Sequence, residues 1–347
     1  MTRFLIVRLG ALGDIVHTIP VAAALRRAFP AARIDWVVSG KHREILDLVP
    51  AIDHRLTIKA SSGPGGGAAL FSAIRGLRRT KYDAALDVQG LIKSAFIARL
   101  SGAARVIGFN GKYAREPLAR LLYTELHDPG GDGIYAHTET RNVVDINLGL
   151  LSTLGIAPGI PEFPVEVRDS PVARTLAEQA GGRYALLNPG AAWPNKRWPP
   201  PRFAALAAAL RDRRGLASVV LWGPGEYELA EEVVTMSGGA AILSPRTSVA
   251  DVVALARGAA VMVSGDTGPT HLAAAVGTPI VGIYGPTRPE RNGPWSRADQ
   301  TVSRASICQC HHLRSCKLEH MCLLDITVEE VLAAVERRLD AADRCRA

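Results

Sequence analysis

Short runs of β-branched and other apolar residues alternate along the chain with longer segments of helical periodicity. The runs 4–7 (FLIV), 34–38 (IDWVV), 54–58 (HRLTI), 84–88 (AALDV) and 105–109 (RVIGF) predict strands. Between them, 15–28, 42–48, 69–80 and 90–100 predict helices. The rhythm then restarts, with strands at 184–188 (YALLN), 218–222 (SVVLW), 240–243 (AAIL), 261–264 (VMVS) and 279–284 (PIVGIY). Helices at 202–213, 226–236, 249–257 and 269–276 separate these strands. Strands that recur with a helix between them predict parallel sheets covered on both faces.

Segment 155–171 carries Pro158, Pro161, Pro164 and Pro171, fits neither period, and reads as an extended connector. Two α/β domains of similar size, 1–160 and 172–347, are therefore expected to face a central cleft. A final amphipathic helix at 327–342 closes the chain and is placed to reach back toward the N-terminal domain. GPGGG at 63–67 is a loop too short to link domains. In such sheets ligands bind beyond the carboxyl ends of the strands, so the loops after strands carry the search for chemistry.

Composition changes this picture little. At 347 residues, 48% hydrophobic and 21% charged, the chain reads as globular, with ample length for two cores. No apolar run reaches the ~18–20 residues that span a bilayer. The opening MTRFLIVRLG lacks the long apolar region of a signal peptide, so a cytoplasmic location is expected. Charge adds more: a net +8 favours anionic partners. The basic clusters RRTK (78–81), RDRR (211–214) and ERR (336–338) all fall in helical segments. Solvated helix faces are their first reading, and an anionic membrane surface the second. With aromatics at 5% and no basic run interleaved with them, nucleic acid is not an expected partner.

Four of the five cysteines, Cys308, Cys310, Cys316 and Cys322, lie within one short loop, with Cys345 near the end. With His311, His312 and His320 they offer soft ligands enough for zinc, but the spacing matches none of the common paired motifs. Free thiols in a structural loop are the default expectation, and no metal is assigned.

Four motifs follow strands. In R8-L-G-A-L-G-D-I-V-H-T-I-P20, Gly10 and Gly13 permit a tight turn and Asp14 opens a helix. Asp14 is either a helix N-cap or a carboxylate aimed at a substrate hydroxyl, and His17 one turn on either orients it or packs. The spacing is not G-x-G-x-x-G, so the dinucleotide fingerprint is absent. In N188-P-G-A-A-W-P-N-K-R-W198, prolines and Gly190 enforce a loop, and Lys196 and Arg197 bring charge to a strand end. A diphosphate suits such a cation; a surface loop anchored by Trp193 and Trp198 is the plainer reading. In W222-G-P-G-E226, Glu226 is either an N-cap or a bidentate partner for ribose hydroxyls, with Glu228 its neighbouring competitor. In V263-S-G-D-T-G-P-T-H-L-A-A-A275, Asp266 and Thr267 end a strand, and Gly268 and Pro269 start a small-residue helix. That helix would aim free N–H groups at a phosphate. His271 either adds a donor or packs in the core.

Together with K81-YDAALDVQGLIKSA95 and Y284-G-P-T287, these motifs occur in an order that resembles glycosyltransferase family 9, the heptosyltransferases of lipopolysaccharide inner-core assembly, over nearly the full length. The resemblance implies a GT-B fold of two Rossmann-like domains and an inverting transfer of L-glycero-D-manno-heptose from ADP-heptose to a Kdo-lipid A type acceptor. It implies Asp14 as general base, with Lys196, Glu226, Asp266, Thr267, Gly268 and His271 holding the donor. On the acceptor side it suggests Gly13, Lys93, Arg115 and Arg120. YDAALDVQGLIKSA and A114-REPLARLLY123 look most like heptosyltransferase I, whereas the cysteine loop looks more like the II and III branches.

Two departures stand out. Ala191 and Ala192 replace threonines that touch phosphate in some members, and 60–69 is Gly-rich where members using Kdo-lipid A carry Arg and Lys. No cofactor is implied, since the ADP-sugar is a substrate and no D-x-D pair offers to hold an obligatory divalent ion. The acceptor surface implied is the anionic, cytoplasmic face of the inner membrane, reached peripherally. A GT-B enzyme with another donor or acceptor, or a non-catalytic nucleotide-binding adaptor, remain the alternative readings. Asp14 and Lys196 together favour the enzyme, because pure binding needs no base.

Overall fold

The computed structural model describes residues 1–58, 66–311, 313–316 and 318–344, without the side chains of 66–72. Most of the Gly-rich 60–69 stretch, His312 and Cys345 lie outside the described residues. The chain divides into two compact units, Met1–Glu166 and Val167–Ala347.

The N-terminal unit is built on a sheet of β1 (Arg3–Val7), β2 (Arg33–Ser39), β3 (His54–Ile58), β4 (Ala84–Asp87), β5 (Arg105–Phe109) and β6 (Glu125–His127). Its spatial order is β3-β2-β1-β4-β5-β6, and every pairing is parallel. The C-terminal unit repeats the plan with β7 (Tyr184–Asn188), β8 (Ala217–Val220), β9 (Ala241–Leu243), β10 (Val261–Gly265), β11 (Ile280–Tyr284) and β12 (Gln300–Ser303). Here the order is β12-β11-β10-β7-β8-β9, again all parallel. The central strands are buried on both faces, as β4, β7, β10 and β11 show along their whole length. That is why they read as continuous apolar runs.

Each strand order reverses once, at β1/β4 and at β7/β10, and there the following loops diverge to opposite faces and leave a crevice. The motifs after β1, β7 and β10 therefore sit at these two points.

Several boundaries differ from the sequence expectation. The helix expected over 15–28 is two pieces, Leu12–Val16 and Ile19–Ala28, with Pro20 in the first turn of the second. A proline is tolerated there but cannot continue a helix from before it. The helix expected over 42–48 is a 3-10 stretch, Gly40–Leu48, kinked at His42. Strands β6 and β12 escaped the pattern because each is a short edge strand of mixed exposure. The last helix, Val328–Arg344, buries Val331, Val335 and Leu339 in the C-terminal unit's own core with Phe203, Leu206 and Ile283. No helix among the described residues is long and apolar enough to cross a membrane.

Candidate active site

In the N-terminal unit the chain leaves β1 through Arg8, whose side chain is buried at 4% exposure. Its guanidinium donates to the Val88 carbonyl past β4 (2.5 Å) and pairs with Asp14 Oδ1 (2.8 Å). The Gln89 side chain accepts the Leu9 N–H (2.7 Å), tying the two loops at the switch point together. Asp14 is not the N-cap of its helix. Ala11 is, and the Asp14 carboxylate turns back to accept the Ala11 N–H (3.2 Å). Arg115, from the loop after β5, brings a second guanidinium to Asp14 Oδ2 (3.3 Å). Burial by itself would raise this carboxyl's pKa, yet the positive charges of Arg8 and then Arg115 hold it well below the usual carboxylate range. Asp14 is thus a partly exposed carboxylate locked in its ionised form. His17 lies buried one turn on.

The other acceptor-side candidates lie in the same unit, and of them only Gly13 adjoins Asp14. Arg120 lines an open pocket of about 360 Å³ with Asn110, Gly111, Lys112, Pro117 and Leu118. Lys93 stands on the outer face of helix Ile92–Leu100. Gly13 precedes Asp14, and its carbonyl accepts the His17 N–H (2.9 Å).

In the C-terminal unit the loop after β7 meets the loop after β10. Lys196 Nζ donates to Asp266 Oδ2 (2.6 Å), with Trp193 beneath the ammonium at 4.5 Å from the ring centroid. His271 Nε2 lies 3.0 Å from Asp266 Oδ1, and Asn292 donates its amide to Oδ2 (3.3 Å). Burial would raise the Asp266 pKa, but the bond from His271 and the charge of Lys196 drive it far below the ordinary carboxylate value. Both loops fit only because β10 ends in glycine: a Cβ at Gly265 would lie 2.9 Å from the Lys196 carbonyl.

The Asn188 side-chain amide donates to the Gly190 carbonyl (3.1 Å), Ser264 Oγ (3.0 Å) and Thr267 Oγ1 (3.2 Å). Thr267 precedes helix Gly268–Ala275 as its N-cap but makes no side-chain cap bond, its hydroxyl being engaged with Thr270 (2.8 Å) instead. Glu226 occupies the N-cap position of helix Tyr227–Met236 without capping it. Its carboxylate turns back to the Gly223 N–H (3.0 Å) and lies over Gly190, where a Cβ would overlap it. Glu228 is exposed. If Glu226 holds the donor, as the family resemblance implies, replacing Gly190 with alanine should push its carboxylate aside and weaken ADP binding about tenfold, the worth of one hydrogen bond to a charged group. Titration calorimetry checks this, and unchanged affinity would refute that role for Glu226.

The two tryptophans expected to anchor the loop differ in role. Trp198 is a packing anchor, buried with its indole N–H on the Ile326 carbonyl (3.0 Å), while Trp193 supports Lys196. Arg8 and Asn292 had no assigned role in the sequence reading. Arg8 had a visible signal, a cation at the end of β1. Asn292 had none, since it arrives from a four-residue helix, Pro289–Asn292, after β11.

The cysteine loop packs beside the turn after β11, where a Cβ at Gly285 would lie 3.0 Å from the Cys322 sulfur. Cys310 and Cys316 sulfurs are 2.9 Å apart. A zinc tetrahedron with bonds of about 2.3 Å spaces its sulfurs by ~3.8 Å. Burial, then a hydrogen bond with Cys308, pushes the Cys322 thiol up to about 12. His311 contacts the Pro286 carbonyl (3.0 Å) and His320 the Asp325 carboxylate (2.7 Å). Among the described residues no group of three or more His, Cys, Asp or Glu side chains is arranged to hold a metal.

The chain as a whole resembles known proteins. The family glycosyltransferase family 9 (heptosyltransferase) matches residues 70–322. The chain belongs to this family. It is 31% identical to lipopolysaccharide heptosyltransferase 1 of Pseudomonas aeruginosa, over 85% of this chain and 82% of that protein. It is 30% identical to lipopolysaccharide heptosyltransferase 1 of Escherichia coli K12, over 87% and 93%. Among solved structures, the E. coli heptosyltransferase WaaC with ADP superimposes with a TM-score of 0.77 at 26% identity, covering 97% of this chain and all of that one. The same enzyme with ADP-2-deoxy-2-fluoro heptose gives 0.74, covering 96% and 99%. This family 9 member is therefore a glycosyltransferase of GT-B fold.

Proposed function

We propose that this glycosyltransferase moves heptose from ADP-heptose to a Kdo-containing, lipid A-linked acceptor, with inversion at the anomeric carbon. The observation that carries the reading is Asp14, a carboxylate held ionised by Arg8 and Arg115 at a strand switch point. The relatives support the substrates: two are lipopolysaccharide heptosyltransferases 1, and WaaC is seen with ADP and with an ADP-heptose analogue.

In this account the acceptor hydroxyl attacks the anomeric carbon from the face opposite the diphosphate. Asp14 takes the hydroxyl proton, and the electron pair of the breaking C–O bond leaves with ADP. An ammonium has three donors, and Asp266 uses one of those on Lys196, leaving the others for the diphosphate. Asp266, itself an anion, acts by fixing Lys196 and His271 and not by touching phosphate. The N–H groups opening helix Gly268–Ala275 add to the stabilisation of the departing charge. Ala191 and Ala192 have no side-chain donors, so their contribution is limited to backbone N–H. In this reading the Lys196 charge serves at the diphosphate in place of an obligatory divalent ion, in keeping with the lack of a D-x-D pair.

An ionised base clamped by two guanidiniums is a weak one. An acceptor carboxylate that draws Arg115 away from Asp14 would strengthen it on binding. Arg115→Gln should raise the acceptor KM about tenfold or more and spare ADP affinity. It should also shift the acid limb of kcat/KM upward. The sign follows from the active form: Asp14 works deprotonated, so a depressed pKa keeps activity down to low pH, and removing Arg115 returns the limb toward the free-Asp value near 4. An unmoved limb would contradict the clamp.

The cysteine loop serves packing in this reading. Elemental analysis should find no stoichiometric metal, and a chelator should leave the melting temperature unchanged. One tightly bound zinc per chain would overturn this. Turnover of ADP-heptose with a de-acylated Kdo-containing acceptor tests the whole assignment.

A further inference from the structure

The N-terminal unit exposes large apolar side chains where two short elements touch. Helix Ile92–Leu100 buries Ala95, Ile97 and Ala98 and leaves Ile92 (44%) and Phe96 (47%) exposed, one turn apart on a single face. The 3-10 turn Pro117–Leu122 buries Ala119 and leaves Leu118 (63%) and Leu121 (72%) exposed. The two elements pack through Ala95, Ala114 and Ala119, and the Ile92 N–H donates to Glu116 (2.6 Å), which fixes their outer surfaces side by side. Single exposed leucines are ordinary on any protein, whereas four large apolar groups on adjoining elements form a patch that calls for a partner.

The charge around the patch says which partner. Residues 91–121 contain six basic residues and one acidic residue; Arg105 is paired with Glu125 and Arg115 with Asp14, which leaves Lys93, Arg99, Lys112 and Arg120. Lys93 and Arg99 are exposed on the helix that carries Ile92 and Phe96, and exposed Lys112 and Arg120 line one pocket with Leu118. Apolar groups interleaved with cations match the boundary of an anionic bilayer, where the former enter the acyl edge and the latter meet headgroup phosphates. The surface also runs directly to the chemistry: the loop that enters the 3-10 turn carries Arg115, whose guanidinium lies 3.3 Å from Asp14.

We propose that Ile92, Phe96, Leu118 and Leu121, ringed by Lys93, Arg99, Lys112 and Arg120, form a docking surface for an anionic lipid bilayer that delivers a membrane-anchored acceptor to Asp14. This rests on the reading of the acceptor as lipid-linked. Docking is reversible and salt-sensitive, because no spanning helix contributes among the described residues.

Phe96→Ser/Leu121→Ser removes two apolar anchors that lie outside the Arg120 pocket. Flotation with vesicles of phosphatidylcholine alone, and with a third of the lipid replaced by phosphatidylglycerol, reads the binding. The intact protein should bind the anionic vesicles only and be released by high salt. The variant should bind them roughly 100-fold more weakly, about tenfold for each side chain withdrawn from the acyl edge, while turning over a de-acylated soluble acceptor at the normal rate. Equal binding by variant and parent, or equal binding to both kinds of vesicle, would overturn the proposal. So would loss of turnover on the soluble acceptor, or a concentration-dependent dimer that the variant abolishes. Vesicle binding that follows these residues in a protein inactive on Kdo acceptors would sink the functional reading and leave the surface standing.

Discussion

Asp14→Asn should lower turnover by about 10²–10⁴, the usual worth of a positioned general base, and leave ADP affinity almost unchanged. The asparagine is nearly isosteric, so it can still meet Arg8 and Arg115, but it cannot accept the hydroxyl proton. The arginines add a check on fold integrity. Arg8 is buried, and losing its counter-charge costs more stability than losing that of half-exposed Arg115. The variant should therefore melt lower than the parent while still binding ADP. Single-turnover rates with ADP-heptose, beside calorimetry with ADP, separate the effects. Near-normal turnover would remove Asp14 as the base. Lost ADP binding at normal turnover would make it a ligand contact.

Lys196→Ala should weaken ADP about 10- to 100-fold, since charge-assisted hydrogen bonds are worth about 1.5–3 kcal/mol. A second consequence follows from the pairing with Asp266, whose side chain is only 8% exposed. Truncating Lys196 leaves that carboxylate buried with His271 and Asn292 but without its cation, at a cost of about 3 kcal/mol. Lys196→Ala/Asp266→Asn should recover stability without recovering ADP affinity. Lys196→Arg should keep the charge and only part of the activity, because a planar fork does not replace a compact ammonium over Trp193. Calorimetry and thermal melting of the three variants decide it. Unchanged ADP affinity in the alanine variant would reduce Lys196 to a structural ion pair.

The strands of both sheets were legible because parallel strands buried on two faces must be apolar along their length, as at Leu5–Val7 and Val261–Val263. Strands β6 and β12 were not, because an edge strand of three or four residues with mixed exposure leaves no period to read. The same logic divides the site. Gly10, Gly13, Gly190, Gly223 and Gly268 announced turns after strands, and Asp14, Lys196, Glu226 and Asp266 were visible as polar groups placed on those turns. Only part of what they touch was visible, because several partners arrive from distant segments. Arg115 reaches Asp14 from beyond β5, Asp266 takes Lys196 from the loop after β7, and Glu226 folds back over Gly190. Local pattern could not tell that Asp14 and Glu226 would both decline the N-cap role that their positions offered.

One reaction tests the assignment most directly. Purified protein, given ADP-heptose and a de-acylated Kdo-containing lipid A saccharide, should release ADP and extend the acceptor by one heptose, with the anomeric configuration inverted in the product. Mass spectrometry and NMR of the isolated product read both outcomes. Retained configuration would contradict Asp14 as the base of a direct displacement. No transfer to this acceptor, with efficient transfer to a neutral soluble one or from a different nucleotide sugar, would contradict the assignment to lipopolysaccharide core assembly.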